Sequence, residues 1–475
     1  MPERLHQFPP LAGLCARADA QRGGQPVETC AAVLHRLAYV AQRVAIMTAA
    51  WLPSTPEWEV KQALAFHGWI DAQHAAWLYA RIAEMREPPP AMHDIPDTRL
   101  EAALDEAGAA ASTLDRVSVM YGVVRPAFQH AVAEYRRRTH PIADQPSVRL
   151  MAAIEHDYEA IAAWSERALA VEREAGGEER LAGHVAAWLD AAGGVDGHAT
   201  RPAREPKRRA AARYEPAVVP RRDARFSGLF DTSTPADVAY LDESRDPAER
   251  NAALMFKRVR EMDVPEVIAG IIAERWMAAR NAVREGAPPA GPDWTYYVHL
   301  FRQMWDEARH AMLGEILLEH HGVDWRRLPI NMTFSYKLAR HCTPVERHIL
   351  LYAIEQSLMP KTTGKPYEHR IAVESGDSLS ALFHDFDWAD EVLHVEVARR
   401  CLKPELPGGL GEARARADAL WQRLGETLEK EPLPRDDPHR AALADWWTFY
   451  VRKVTGHDPA PVRDTHVKDW RPNSG

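Results

Sequence analysis

Two copies of one short pattern constrain this chain more than any other feature: Asp306-Glu307-Ala-Arg-His310 and Asp390-Glu391-Val-Leu-His394. In a helix, residues i and i+3 share one face about a turn apart, so a Glu-x-x-His pair aims a carboxylate and an imidazole at one point. The bare pair arises by chance in a chain with 22 histidines, and a third instance, Glu3…His6, lies in a Pro-flanked terminus and is set aside. The two extended copies fall midway along long segments of helical periodicity, on alternate helices. A fold that uses them must bring those helices face to face around a polar centre.

The rest of the sequence supports an all-α chain. Segments rich in Ala, Leu, Glu and Arg alternate with Pro/Gly punctuation, and strand alternation is almost absent. Helices are expected near 30–51, 58–86, 100–139 (broken), 146–174 and 178–191. Residues 192–226 carry Lys207-Arg208-Arg209 and Arg221-Arg222 among Pro and Gly, and read as a solvated basic linker. Beyond it, Asp263-Val-Pro-Glu266 reads as a capped helix start, followed by helices at about 294–321, from Thr343 to 359, and at 378–402. Two more are expected at 411–429 and 438–454. The division is 1–191, a linker at 192–226, a main helical domain at 227–430 and a C-terminal helix and tail at 431–475. The central object is a four-helix bundle with a long connection at 322–342, its helices roughly 30–40 Å long.

A bundle that builds a two-metal site from two Glu-x-x-His helices needs one more carboxylate from each remaining helix. Glu266 and Glu346 are explained as caps. Glu274 lies mid-helix on the stripe Val267, Ile271, Ala278, and Glu355 on the stripe Leu351, Tyr352, Leu358; a buried carboxylate needs compensation of its charge. Four carboxylates and two neutral imidazoles around two divalent ions sum to zero. This oxygen-rich set suits iron or manganese, and the scattered Cys15, Cys30, Cys342 and Cys401 offer no thiolate zinc site.

The order Glu274, Asp306-Glu307-x-x-His310, Glu355, Asp390-Glu391-x-x-His394 resembles the ferritin-like di-iron carboxylate superfamily over about residues 255–402. The resemblance implies a ferritin-like bundle with a dinuclear centre, two Fe ions or an Mn/Fe pair. It implies that Glu307 and Glu391 bridge the metals, that Glu274 and His310 complete one, and that Glu355 and His394 complete the other. Asp306 and Asp390 would accept from the outer imidazole N–H groups. Asp387, one turn before Glu391, is either an extra oxygen ligand or a surface residue. Gly314 stands where the reductase of this superfamily has its radical tyrosine, and Met359 where its bacterial monooxygenases have a threonine. Gly314, Gly270 and Ala278 mark either open space for oxygen and substrate or close helix packing. Tyr352, Trp305 and Trp388 lie near ligands as pocket or electron-relay candidates, Tyr352 being the catalytic one.

The first half repeats the theme in damaged form. Asp71-Ala-Gln-His74 and Glu155-His156-Asp157-Tyr158 stand where the motifs would be, but the helix at 30–51 has no carboxylate at all, so residues 28–191 read as a degenerate bundle that packs against or shields the active one. The expected activity is oxidation of a small organic molecule with O2, by hydroxylation, desaturation or N-oxygenation, with a reductase or small reductant as electron donor. A ferroxidase or iron-handling protein and a non-catalytic scaffold are the alternatives. A formal charge of -9 argues against nucleic-acid binding, and the absence of a long apolar run or export pattern points to a cytoplasmic chain.

Overall fold

The computed structural model describes residues 8–176, 180–211, 215–230, 235–288, 290–437 and 446–461. Among these, all regular structure is helical, and no helix is long and apolar enough to cross a membrane. The longer helices are α1 (Val27–Trp51), α2 (Trp58–Ala83), α3 (Thr98–Gly108), α4 (Thr113–Val119), α5 (Arg125–Arg138), α6 (Gln145–Glu174) and α7 (Arg180–Ala191). They continue with α8 (Pro247–Val259), α9 (Asp263–Arg284), α10 (Trp294–His320), α11 (Thr333–His341), α12 (Pro344–Ser357), α13 (Lys365–Glu374), α14 (Ser378–Leu402), α15 (Gly409–Lys430) and α16 (Trp446–Thr455). The expected break in 100–139 lies between α3 and α4, and a π turn at Met120–Val124 joins α4 to α5, just before Pro126, which has no N–H to donate. The pair Glu3…His6 and residues 438–445 of the expected C-terminal helix lie outside the described residues.

The described residues divide into two compact units, one of segments 1–48, 67–214 and 279–298, the other of 49–66, 215–278 and 299–475. Each takes segments from both sides of 192–226.

Every residue of the doubled motif lies in the second unit. There, α12 starts as its sequence dictates: Thr343 accepts from the Glu346 N–H, the Glu346 carboxylate accepts from the Thr343 N–H, and Pro344 follows the cap. α9 begins at Asp263 as expected, but as the continuation of a helical run rather than at a free end. Asp246 caps α8, and a 3-10 turn at Arg260–Met262 carries the chain into α9 without leaving helical dihedrals. Asp263 and Glu266 therefore have no free helix end to cap. They are buried against Arg222, which donates to Asp263 Oδ1 (2.7 Å) and Glu266 Oε2 (3.0 Å), while Lys61 Nζ lies 2.8 Å from Glu266 Oε1. Ser335 Oγ donates into the same pair of carboxylates. Arg222 belongs to the segment read as a solvated linker, yet its side chain is fully buried. Stripping its cation away would leave two buried carboxylates under-compensated, the most damaging way to break such a network.

Around it, Trp58, Phe226 and Trp325 pack with ring centroids 4.9–5.7 Å apart, and the Arg222 guanidinium lies 5.5 Å over the Trp58 ring. Trp58 Nε1 (2.6 Å) and Gln62 Nε2 (2.5 Å) both donate to Oε1 of Glu315 on α10. Burial pushes the Glu315 carboxyl up to about 7 in spite of those donors. A carboxyl raised in the folded state binds its proton more tightly there than in the unfolded chain, so stability falls as pH rises from its unfolded value through about 7. Glu315→Gln is expected to stabilise the fold at pH 8 relative to the parent by on the order of 1–2 kcal/mol, seen as a higher melting temperature, with little or no gain at pH 5. Thermal unfolding at the two pH values checks this.

Candidate metal centre

Three helices of the second unit and one short turn build a buried polar centre. From α10 come Asp306, Glu307 and His310; from α12, Glu355; from α14, Asp387, Asp390, Glu391 and His394; and from the 3-10 turn after α8, Glu261. Helical spacing puts Glu307 and His310, and likewise Glu391 and His394, on one face. Donor atoms of Glu307, Glu355, Glu391 and His394 converge within 4.8 Å of one another, and those of Glu261, His310 and Asp387 form a second such group.

The separations match donors around one ion. His394 Nδ1 lies 3.2 Å from Glu307 Oε1, 3.4 Å from Glu391 Oε2 and 4.0 Å from Glu355 Oε1. His310 Nδ1 lies 3.3 Å from Asp387 Oδ1, 3.5 Å from Glu307 Oε2 and 3.6 Å from Glu261 Oε2. Ligands about 2.1 Å from a metal stand about 3.0 Å apart at right angles and about 3.4 Å apart at tetrahedral angles. Glu307 thus presents one oxygen to each histidine. Glu307 Oε1, Glu391 Oε2 and both Nδ1 atoms are buried without a hydrogen-bond partner, an arrangement that is costly unless a cation satisfies it. The residues fit a divalent ion.

The outer faces of the imidazoles are held crosswise. His394 Nε2 is 3.4 Å from Asp306 Oδ2, and His310 Nε2 is 3.1 Å from Asp390 Oδ2. Each aspartate therefore serves the histidine of the other helix. Arg309 ties the two aspartates together at 2.6 and 2.7 Å, and Arg302 Nε contacts both Asp306 oxygens. An acceptor on Nε2 leaves Nδ1 as the lone pair that points inward.

Electrostatics separate the carboxylates. Burial, with Glu391 and Glu307 beside it, drives the Glu355 carboxyl well above its usual range, while Gln303 Nε2 donates to its Oε1 at 3.1 Å. Against the same burial, Lys365 and a bond with Glu355 hold Glu391 well below its usual range. Both imidazoles resist the downward pull of burial: Asp387, Asp390 and Glu307 carry His310 up to about 10, and Asp306, Glu307 and Glu391 raise His394 well above its usual range. A metal ion would displace these protons on binding.

Of the residues singled out from sequence, Glu274 does not join the centre. Thirteen residues separate Glu261 from Glu274 (261→274), which is about 20 Å of helical rise. Glu274 instead pairs with Arg347, its side chain 29% exposed, and Ala278 on its presumed apolar stripe is exposed. The carboxylate of this polypeptide segment at the depth of His310 is Glu261. Asp387 is fully buried, not a surface residue. Tyr352 is buried on α12 a turn before Glu355, and Trp305 packs on Phe66 at 4.7 Å. Gly314 marks close packing rather than open space: a Cβ there would lie 2.4 Å from Val259 N and 2.7 Å from Val259 Cα. This contact lets α10 lie directly on the backbone that carries Arg258. At Gly270 a Cβ would meet the Arg347 side chain at 3.0 Å.

Sequence reasoning missed Arg258, Glu261, Gln303, Lys365 and Glu368. Arg258 donates to both oxygens of Asp387 (2.6 and 2.7 Å) and of Glu261 (2.9 and 2.7 Å). Lys365 Nζ is 2.8 Å from Glu391 Oε1 and 3.0 Å from Asp387 Oδ1, and Glu368 pairs with Lys257 and Arg258. The signals were present in Asp246-Pro247-Ala-Glu249 and Gly364-Lys-Pro366, helix starts of the type used for α12.

In the first unit, the damaged motifs meet a cation of the chain's own. Arg125 donates to both oxygens of the buried Asp71, Tyr158 Oη donates to Asp71 Oδ1 at 2.8 Å, and His74 Nε2 lies 2.9 Å from Asp157 Oδ2. Glu155 pairs with Arg136, and His156 is exposed. Among the described residues no group of three or more candidate ligands forms in this unit.

Comparison with protein-family models, with curated proteins and with solved structures gave no match.

Removing the Asp306 carboxylate charge should loosen His394 without deleting a ligand. Asp306→Asn is expected to weaken Fe(II) binding about 10- to 100-fold, measured by anaerobic competition with a chelating dye, with helix content unchanged by circular dichroism.

Proposed function

We propose that this chain is a non-heme iron oxidoreductase of ferritin-like type, built on a four-helix bundle, that uses O2 to oxidise a small organic molecule by hydroxylation, desaturation or N-oxygenation. The observation that carries the reading is the set of inward-facing, unpartnered atoms Glu307 Oε1, Glu391 Oε2, His310 Nδ1 and His394 Nδ1 in a fully buried carboxylate cluster. A packed helical scaffold has no use for such atoms, since an apolar or mutually hydrogen-bonded set would be more stable.

Glu307, Glu355, Glu391 and His394 would hold one iron, and His310 with Glu261, Asp387 and the second oxygen of Glu307 would face the other. When bound, iron(II) supplies electrons and Lewis acidity for reduction of O2. The chain's own residues fix the rest. Asp306 and Asp390 set the tautomers of His394 and His310, and Arg309 pairs with both aspartates while Arg302 pairs with Asp306. Before a metal binds, burial beside Glu391 and Glu307 favours the protonated form of Glu355, which must give up that proton to become a ligand. Burial of Glu307, His310, Glu355, Asp387, Glu391 and His394 keeps bulk water from the reacting groups. Tyr352, on the same face as Glu355, is the aromatic side chain proposed to line the substrate side, and a reductase or small reductant supplies electrons for turnover.

The test is anaerobic reconstitution with Fe(II), metal analysis per chain by mass spectrometry, and O2 uptake on mixing with aerobic buffer. The parent is expected to retain no more than two irons per chain and to consume O2, whereas Glu307→Ala retains less than about a tenth of that iron and consumes none above background. Iron uptake well beyond two per chain would favour an iron-handling protein instead. A parent chain that retains no iron would refute the proposal.

A further inference from the structure

The two metal positions are not equivalent, and the difference lies in side chains that the ligand pattern does not include. Around His394, neither Glu307 nor Glu355 is ion-paired to a Lys or Arg among the described residues, and Glu391 presents its free Oε2. Around His310 the carboxylates are already occupied. Asp387 receives both guanidinium arms of Arg258 and the ammonium of Lys365, Glu261 is paired with Arg258 and lies 3.7 Å from Lys365 Nζ, and Lys365 also holds Glu391 Oε1 at 2.8 Å. On the other side of Arg258 stand Glu368 and His384 Nδ1, at 3.5 and 3.1 Å.

Lys365 is fixed by the backbone rather than by chance rotamer. Its side chain is 1% exposed, its N–H donates to the Leu358 carbonyl at 2.8 Å, and a Cβ on the preceding Gly364 would lie 2.0 Å from that same oxygen. Only glycine permits this loop closure, which delivers Lys365 at the first turn of α13 into the centre. The ammonium therefore sits on Asp387 Oδ1, the oxygen 3.3 Å from His310 Nδ1 that an ion there would use, and on Glu391 Oε1. Two cations cannot share them at bonding distance without strong repulsion.

Resting on the metal-centre reading above, we infer that Lys365 closes the second metal position: one ion binds tightly at Glu307, Glu355, Glu391 and His394, and a second enters beside His310 only when the Lys365 ammonium is moved aside. The chain thus holds a built-in ammonium in place of its second ion and loads its metals in order.

The test is an anaerobic titration of the metal-free chain with Fe(II) alone, and separately with Mn(II), followed by equilibrium dialysis and metal analysis. In the parent the second ion is expected to bind at least about 100-fold more weakly than the first. Lys365→Met should bring the second affinity to within about tenfold of the first. His310→Ala should abolish the second ion and leave the first in place, a result that does not depend on the Lys365 variant folding. Two ions of equal affinity in the parent, an unchanged gap in Lys365→Met, or loss of the first ion in His310→Ala would each overturn the inference while leaving a metal centre. A parent that binds neither ion would instead overturn the metal-centre reading itself.

Discussion

Negative charge removed from water is the constraint on which the second unit depends. Glu307, Glu355, Asp387 and Glu391 converge with almost no solvent exposure, and Glu261, its side chain 14% exposed, joins them. Carboxylates cannot be packed in this way unless protons, side-chain cations or metal ions neutralise them. The chain uses its own cations on one side, Arg258 and Lys365, and leaves Glu307 Oε1, Glu391 Oε2 and His394 Nδ1 without a hydrogen-bond partner on the other. That asymmetry, more than the helical architecture, gives the centre its chemical character. The first unit offers the contrast. Where its damaged motif would gather ligands, Arg125 and Tyr158 satisfy Asp71 completely, and no cluster of ligands forms among the described residues.

The scaffold serves this charge balance in identifiable ways. Gly314 lets α10 approach the backbone at Val259 so closely that no side chain fits between, which sets Arg258 and Glu261 against His310. Gly364 does the same for the loop that delivers Lys365. Away from the centre, Arg222 and Lys61 neutralise Asp263 and Glu266, so the same helical run carries two separate buried ion networks. The crosswise pairing of Asp306 with His394 and Asp390 with His310 couples α10 to α14 through the backs of the histidines. Displacement of either helix would disturb both imidazoles.

The all-helical class and most helix positions were legible because helical periodicity and capping patterns are local signals; the ends of α1, α2, α6, α10 and α14 fall within a few residues of their expected places. The doubled motif was legible because i, i+3 spacing fixes direction as well as proximity. Glu274 was misassigned for a physical reason. Periodicity finds the phase of a residue around a helix but not its depth along the axis, and the unrecognised continuation of α9 back through the 3-10 turn into α8 moved the relevant carboxylate to Glu261. Lys365 and Arg258 were invisible for another reason. A buried cation is recognised by what faces it, and its partners come from elements distant in sequence.

The most direct measurement is iron anomalous diffraction from crystals grown and soaked with Fe(II) without oxygen. The strongest peak should lie within bonding distance, about 2.0–2.3 Å, of Glu307, Glu355, Glu391 and His394. Density at the surface alone, or at the Glu274–Arg347 pair, with none inside the cluster, would contradict the assignment of this buried charge to a metal centre.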